Sequence, residues 1–283
     1  MELLRALAVV AEPPSDETAT LAELLQLGAT PSAEDYTDLF TFQLMPYASI
    51  YVGAEGMLGG EARDRVAGFW RALGQDPPVE PDHVAVLLAL YARLCDMESE
   101  GAPEHVREAF FWEHLASWMP VWLEKLADVA TGPYAVWAGI VARSFAETAG
   151  TTTSAVLPLH LRAAPQLGES FESMEALAQA LLTPVRSGVI VTRRDLARAA
   201  RELALGLRAG ERRYIMRALL EQDAGRTLRW LAREAEAWSA RYAARLVGFG
   251  DVARFWSGRA DRTARTLRTM TEDQEVTHAG SGR

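Results

Sequence analysis

Apolar residues recur every three to four positions along most of the chain, which predicts helices rather than strands. Val66, Phe69, Trp70 and Leu73 share one face of a helix over 60–74. Val84, Leu87, Leu88, Tyr91 and Leu94 do the same over 82–97. Phe111, Leu115, Trp118, Trp122, Leu126 and Val129 form a single stripe over 104–131, and Tyr134, Trp137, Val141 and Phe145 repeat it over 134–149. Shorter helices are predicted over 18–27 and 34–45, the second capped by Ser32 or Thr30. After a mixed stretch at 151–172, read as loop, helices resume at 173–182, 193–206 and 211–222. The longest, 226–247, buries Leu228, Leu231, Ala235, Trp238, Tyr242 and Leu246.

The breaks are equally marked. Pro46 to Gly53 reads as an extended stretch or loop, and the glycine-rich Gly53–Gly60 as a flexible turn. Gly74 to Pro81 is a proline-rich connection, with Pro81 in the first turn of the next helix, where its missing N–H costs nothing. Ser187–Thr192 is the one short β-prone run, and Thr192 is placed to cap the helix after it. Beyond 258 the chain turns polar, Arg/Thr-rich and finally Gly/Ser-rich, which predicts a disordered tail. The fold class is therefore all-α. The expected organisation is a helical core over 1–150, bounded by the Thr151-Thr152-Thr153 run, a helical extension over 151–257 packed on or beside it, and a tail over 258–283.

Charge divides the chain the same way. Residues 1–150 hold 8 bases and 23 acids, net −15; residues 151–283 hold 21 bases and 15 acids, net +6. Such asymmetry suggests different partners for the two regions, or a drift in surface composition. Cys95 is the single cysteine, so no internal disulfide forms, which fits a reducing cytoplasm. The apolar run at residues 1–10 carries an acid before its only base and is a poor signal peptide, and no stretch is long and apolar enough to span a bilayer.

The candidate chemistry narrows by spacing. Glu80-x-x-His83 puts a carboxylate and an imidazole on one helix face, but a dinuclear site needs further pairs, and the second match is Glu275-x-x-His278 in the predicted tail. His105 and His114 lack partner spacing, Cys95 falls on an apolar stripe as an inert thiol, and neither a nucleophile elbow nor a phosphate loop is present. No catalytic residue, metal or cofactor is expected. The Arg-rich run Thr192–Arg201, followed by Arg208, Arg212, Arg213 and Arg217, is the alternative functional region, as a nucleic-acid contact. Its interleaved Asp195, Glu202 and Glu211 favour an ion-paired helix face instead. A further alternative is a helical enzyme built around Asp82, His83 and His114. Taken alone, Asp82 reads as a cap or first-turn acid of its own helix, and His83 as a satisfied surface group.

Taken in order, several segments are similar to a known family. Pro46-Tyr47-x-Ser49-x-Tyr51, then Glu80-Pro81-Asp82-His83 followed by Leu87-Leu88, then His114-Leu115-x-x-Trp118 and Pro133-Tyr134 resemble motifs of the TorD/DmsD redox-enzyme maturation chaperones, related to NarJ-type assembly factors. The family's Glu-Pro-x-Asp-His hallmark occurs here with no residue between Pro81 and Asp82. The resemblance covers about residues 36–148. It implies an all-helical, non-catalytic, cytoplasmic chaperone that is a monomer or homodimer. Such a chaperone binds the twin-arginine leader or the apo form of a molybdopterin-dependent oxidoreductase, assists cofactor insertion and delays export. Tyr47, Tyr51, Asp82, His83 and Trp118 match its peptide-binding and hallmark positions. Glu80 belongs to the same hallmark, and Trp70, beside a predicted break, joins Tyr47 and Tyr51 as a groove candidate. Trp118, Trp122, Trp137 and Tyr91 lie at core spacing. The acidic half offers charge for steering a basic leader, and Asp82 a carboxylate for an arginine whose pairing His83 would modulate near neutral pH.

Overall fold

The computed structural model describes residues 1–152 and 157–280, with side chains described as far as residue 272. Thr153, the last of the threonine run, and the side chains of Glu275 and His278 lie outside the described residues. Every regular element among the described residues is helical, and the backbone pairs in β fashion only at an antiparallel bridge between Tyr47 and His83.

The chain forms two compact units. The first comprises Met1–Arg162 and Gly248–Val252, the second Ala163–Val247 and Ala253–Arg283. The division thus falls at residue 162, not 150, because the short helix at 159–162 belongs with the first unit.

The first unit holds α1 (Glu2–Val10), α2 (Asp16–Leu24), α3 (Ala33–Tyr36), a π-helical segment π1 (Thr37–Gln43), α4 (Ala48–Val52), α5 (Gly60–Ala72) and α6 (Val84–Ser99). It continues with α7 (Glu104–Phe110), a second π-helical segment π2 (Phe111–Ala116), α8 (Met119–Val129), α9 (Gly132–Thr151) and α10 (Leu159–Arg162). Ser32, rather than Thr30, caps α3, accepting the Asp35 N–H at 3.0 Å. Helix α1 packs on α6, α4 on α5, and α8 on α9. Phe40 of π1 lies at the centre of an aromatic core. Its ring meets Tyr134 edge-on at 5.0 Å and stacks on Trp122 at 6.1 Å. Trp137 donates its indole N–H to the Leu7 carbonyl at 3.0 Å and so ties α9 to α1.

The continuous helix expected over 104–131 is three pieces. Pro120, at the second position of α8, has no N–H for a carbonyl four residues back, so the ladder stops there. Two groups just before the break take carbonyls it frees: Ser117 Oγ donates to Glu113 O and Trp118 Nε1 to His114 O, both at 2.9 Å. The extended stretch or loop expected at 46–53 is an extended Tyr47, bridged to His83, followed by the short helix α4.

The second unit holds α11 (Met174–Leu181), α12 (Pro184–Ser187), α13 (Arg193–Glu202), α14 (Arg212–Gln222), α15 (Ala224–Arg245) and, from residue 253, most of α16 (Gly250–Gly280). Thr192 caps α13 as expected, in a reciprocal box with Asp195. The Ser187–Thr192 run forms no strand; Val189, Ile190 and Val191 are buried in the connection between α12 and α13. The expected disordered tail is corrected by α16, which buries Trp256, Ala260, Thr263, Ala264, Leu267 and Thr271. Gly188, at φ +72°, makes this possible: a Cβ there would lie 2.3 Å from the Ala260 N, inside contact distance.

Candidate functional site

The site begins where two loops cross. The Val84 N–H donates to Pro46 O at 2.8 Å, and the Ala48 N–H to Asp82 O at 3.0 Å. This crossing brings the Tyr-x-Ser-x-Tyr segment against the Asp-His pair. Arg63 of α5 holds the proline-rich loop from the other side, donating to Val79 O at 2.8 Å.

Asp82 and His83 take opposite roles to those expected. His83, not Asp82, is the N-cap of α6: its Nδ1 accepts the Ala85 N–H at 3.1 Å. Asp82 is 2 % exposed and its carboxylate accepts the Ser49 N–H at 3.0 Å, capping α4 instead. Helix α6 starts at Val84, so Pro81 lies in the preceding turn and not in the helix. His83 is also buried, 4 % exposed. Burial pushes its pKa below the ordinary value, against the pull of Glu12, Glu80 and Asp82. Glu12 Oε1 is 3.8 Å from His83 Nδ1, but that nitrogen is occupied as an acceptor, so the pair is a neutral imidazole beside a carboxylate. A neutral, capping His83 is not poised to modulate an arginine at neutral pH.

What faces solvent lies around this pair. Tyr47 is half-buried, packs edge-on against His83 at 4.9 Å, and donates its hydroxyl to Glu80 Oε2 at 2.9 Å. Glu80 and Glu12 are exposed. Both raise the pKa of Tyr36, which burial first and these two carboxylates next push up to about 12. Burial and Glu80 raise that of Tyr47 in the same way. Glu12, Tyr36, Tyr47, Glu80 and His83 are therefore one electrostatic neighbourhood: two carboxylates around an aromatic floor.

The other expected site residues are elsewhere. Tyr51, 2 % exposed, stacks face to face on the fully buried Trp118 at 5.1 Å and donates to Met45 O at 2.8 Å. Both are scaffold behind the surface in this conformation. Trp70 is half-buried on α5 with its indole N–H buried and unpartnered, and no ring contact or hydrogen bond joins it to the Tyr47 group among the described residues. Sequence reading missed Glu12 and Tyr36, which reach the site only through the packing of α1 and α3. Ser49 stood inside a quoted motif, but its role is a backbone one that residue type does not reveal.

A second cluster forms at π2. Glu113 Oε2 lies 3.5 Å from His160 Nδ1 of α10, and His114 packs against Phe69 and Phe110 at 5.4 and 5.3 Å. Burial lowers the pKa of His160, and lowers that of His114 to about 4. No group of three or more metal-binding side chains occurs among the described residues, and no helix there is long and apolar enough to cross a membrane. In the second unit, Arg198 pairs with Glu234 at 2.6 Å, Arg213 and Arg217 share Glu175 at 2.9 and 3.2 Å, and Arg212 donates to Val191 O at 3.0 Å. Arg198, Arg213 and Arg217 thus lie in ion pairs rather than in a bare cationic stripe.

Residues 10–124 match the family model described as nitrate reductase delta subunit. A chaperone protein TorD of Shewanella pealeana is 31 % identical over 143 residues, 44 % of this chain and 63 % of the relative. The N-terminal unit is similar to this family and to TorD chaperones. Two further chaperone proteins TorD, from strains CMCP6 and YJ016 of Vibrio vulnificus, are each 30 % identical over 111 residues, covering 34 % of this chain and 52 % of the relative. The chain thus spans between half and two thirds of the length of these relatives. The Glu12, Tyr47, Ser49, Glu80, Asp82 and His83 constellation lies inside the matched segment, so it is part of the TorD-type unit.

Proposed function

We propose that this protein is a non-enzymatic, cytoplasmic chaperone for a molybdopterin-dependent oxidoreductase. It binds the twin-arginine leader or the apo form of that client and holds it for cofactor insertion before export. The observation that carries the reading is the pair of exposed carboxylates, Glu12 and Glu80, beside the Tyr36–Tyr47–His83 floor. Two adjacent guanidinium groups need two carboxylates, and the half-buried Tyr36 and Tyr47 rings add cation–π attraction. Buried Asp82 and His83 fix the loop that presents Glu80 but do not touch the leader. The excess of acids in residues 1–150 steers a basic segment toward this face.

The test is a titration of the full chain with a twin-arginine leader peptide from a molybdoenzyme. Saturable binding is expected, weakened by salt, by Glu80→Gln and Glu12→Gln, and by Lys-Lys in place of Arg-Arg. Absence of binding at about 50 μM leader or apo-client rejects the reading.

A further inference from the structure

Arg259 of α16 is 7 % exposed, yet no carboxylate pairs with it among the described residues. Its guanidinium donates to Ala164 O at 3.3 and 3.5 Å and to Pro165 O at 2.5 Å, and stands 4.7 Å from the centre of the Phe255 ring. Carbonyls and a ring orient a buried cation but leave its charge in place. One turn further, Arg262 donates to Gln166 Oε1, again a neutral partner. Arg265 follows and pairs with Asp261. The segment from Ala164 to Glu169 thus runs along α16 beside three guanidinium groups and answers them mainly with dipoles. Burial first, and the neighbouring Arg262 charge second, lower the Arg259 pKa to about 10.

A cleft of about 380 Å³ opens at the end of this run. Arg262, Arg265, Thr266, Thr269 and Met270 of α16 line it, together with Glu169. Its size falls within the range of small-molecule sites. Planar guanidinium forks and threonine hydroxyls are donors suited to the oxygens of a phosphate or carboxylate. Glu169 can accept only from a donor, so a ligand carrying a hydroxyl next to its anionic group fits better than a bare polyanion.

We infer that the α16 cleft binds a small oxyanion-bearing ligand, gripped by Arg262 and Arg265. The inference is independent of leader binding, because it concerns the second unit alone. Isothermal titration of the full chain with inorganic phosphate and, separately, citrate tests it and tells phosphate from carboxylate. Saturable one-to-one binding is expected in at least one arm. The double variant Arg262→Gln/Arg265→Gln should weaken it by about tenfold or more, the loss of charge-assisted hydrogen bonds. Arg201→Gln, which removes one positive charge at an exposed position of α13, should leave it unchanged. Thr269→Val, which keeps every charge, should weaken it severalfold and decides the matter if the double variant misfolds. Failure of both arms to saturate at millimolar concentration overturns the inference. So does an equal loss in Arg201→Gln, or no loss in Thr269→Val combined with a misfolded double variant.

Discussion

The Asp82 carboxylate accepts the backbone N–H of Ser49, 33 residues earlier, at 3.0 Å in a buried setting. Removing it strands that N–H. Asp82→Ala should therefore destabilise the TorD-type unit by about 1–3 kcal/mol, read as a lower urea midpoint. Asp82→Asn keeps an acceptor oxygen and should lose less. Equal stability of Asp82→Ala and wild type would return Asp82 to a purely recognition role.

Three imidazoles, His83 buried and His114 and His160 half-buried, give the unit an acid limit. His83, His114 and His160 are each held below the ordinary histidine value, chiefly by burial, His114 at about 4. The unfolded chain takes up protons near pH 6.5, while the folded chain resists until lower pH. Their neutral state thus supports stability fully above about pH 6.5, and that support is lost as pH falls through the folded values. Denaturation midpoints should be flat from about pH 7 to 8 and decline below about 6.5. His83→Asn, which keeps a capping oxygen, should shrink that decline. A midpoint that rises on acidification would contradict the burial account.

Trp118 and Tyr51 separate scaffold from surface. Trp118 is fully buried, so Trp118→Ala should cost about 3–5 kcal/mol and blunt the near-ultraviolet circular dichroism. Tyr51→Phe keeps the stack but loses the bond to Met45 O, a cost of about 1 kcal/mol. Leader affinity of folded Tyr51→Phe should match wild type. A large drop in affinity with unchanged stability would place Tyr51 on the binding surface.

Gly188→Ala tests the seating of α16. A methyl group would strike Ala260 N at 2.3 Å and the Arg259 carbonyl carbon at 2.7 Å, from a backbone already at positive φ. A loss of at least about 2 kcal/mol is expected, with reduced helicity in thermal melts. A silent substitution would show that α16 packs less closely than this.

Helical class and the buried aromatic stripes were legible because a 3.6-residue period survives in sequence. The π segments were not: they insert a residue per turn while Phe111, Leu115, Trp118 and Trp122 still read as one stripe. The last helix was misread for the opposite reason. Its buried positions include Ala260, Thr263, Ala264 and Thr271, small or polar residues that pack closely, so composition there resembles a tail. At the site, the hallmark letters were visible, but which helix each residue caps depends on a loop crossing. Local pattern assigns a cap to the nearest helix, and Asp82 serves a distant one. The same distance hid Glu12 and Tyr36.

The loop crossing has a last consequence, for solvent exchange. The Ser49 amide is held by Asp82 and the Ala85 amide by His83, so one peptide bond anchors the first turns of α4 and α6 together. Any opening of that junction releases both amides at once. Ser49 and Ala85, far apart in sequence and on different helices, therefore share one protection factor, and a client that steadies the Glu80 loop slows their deuterium uptake in step.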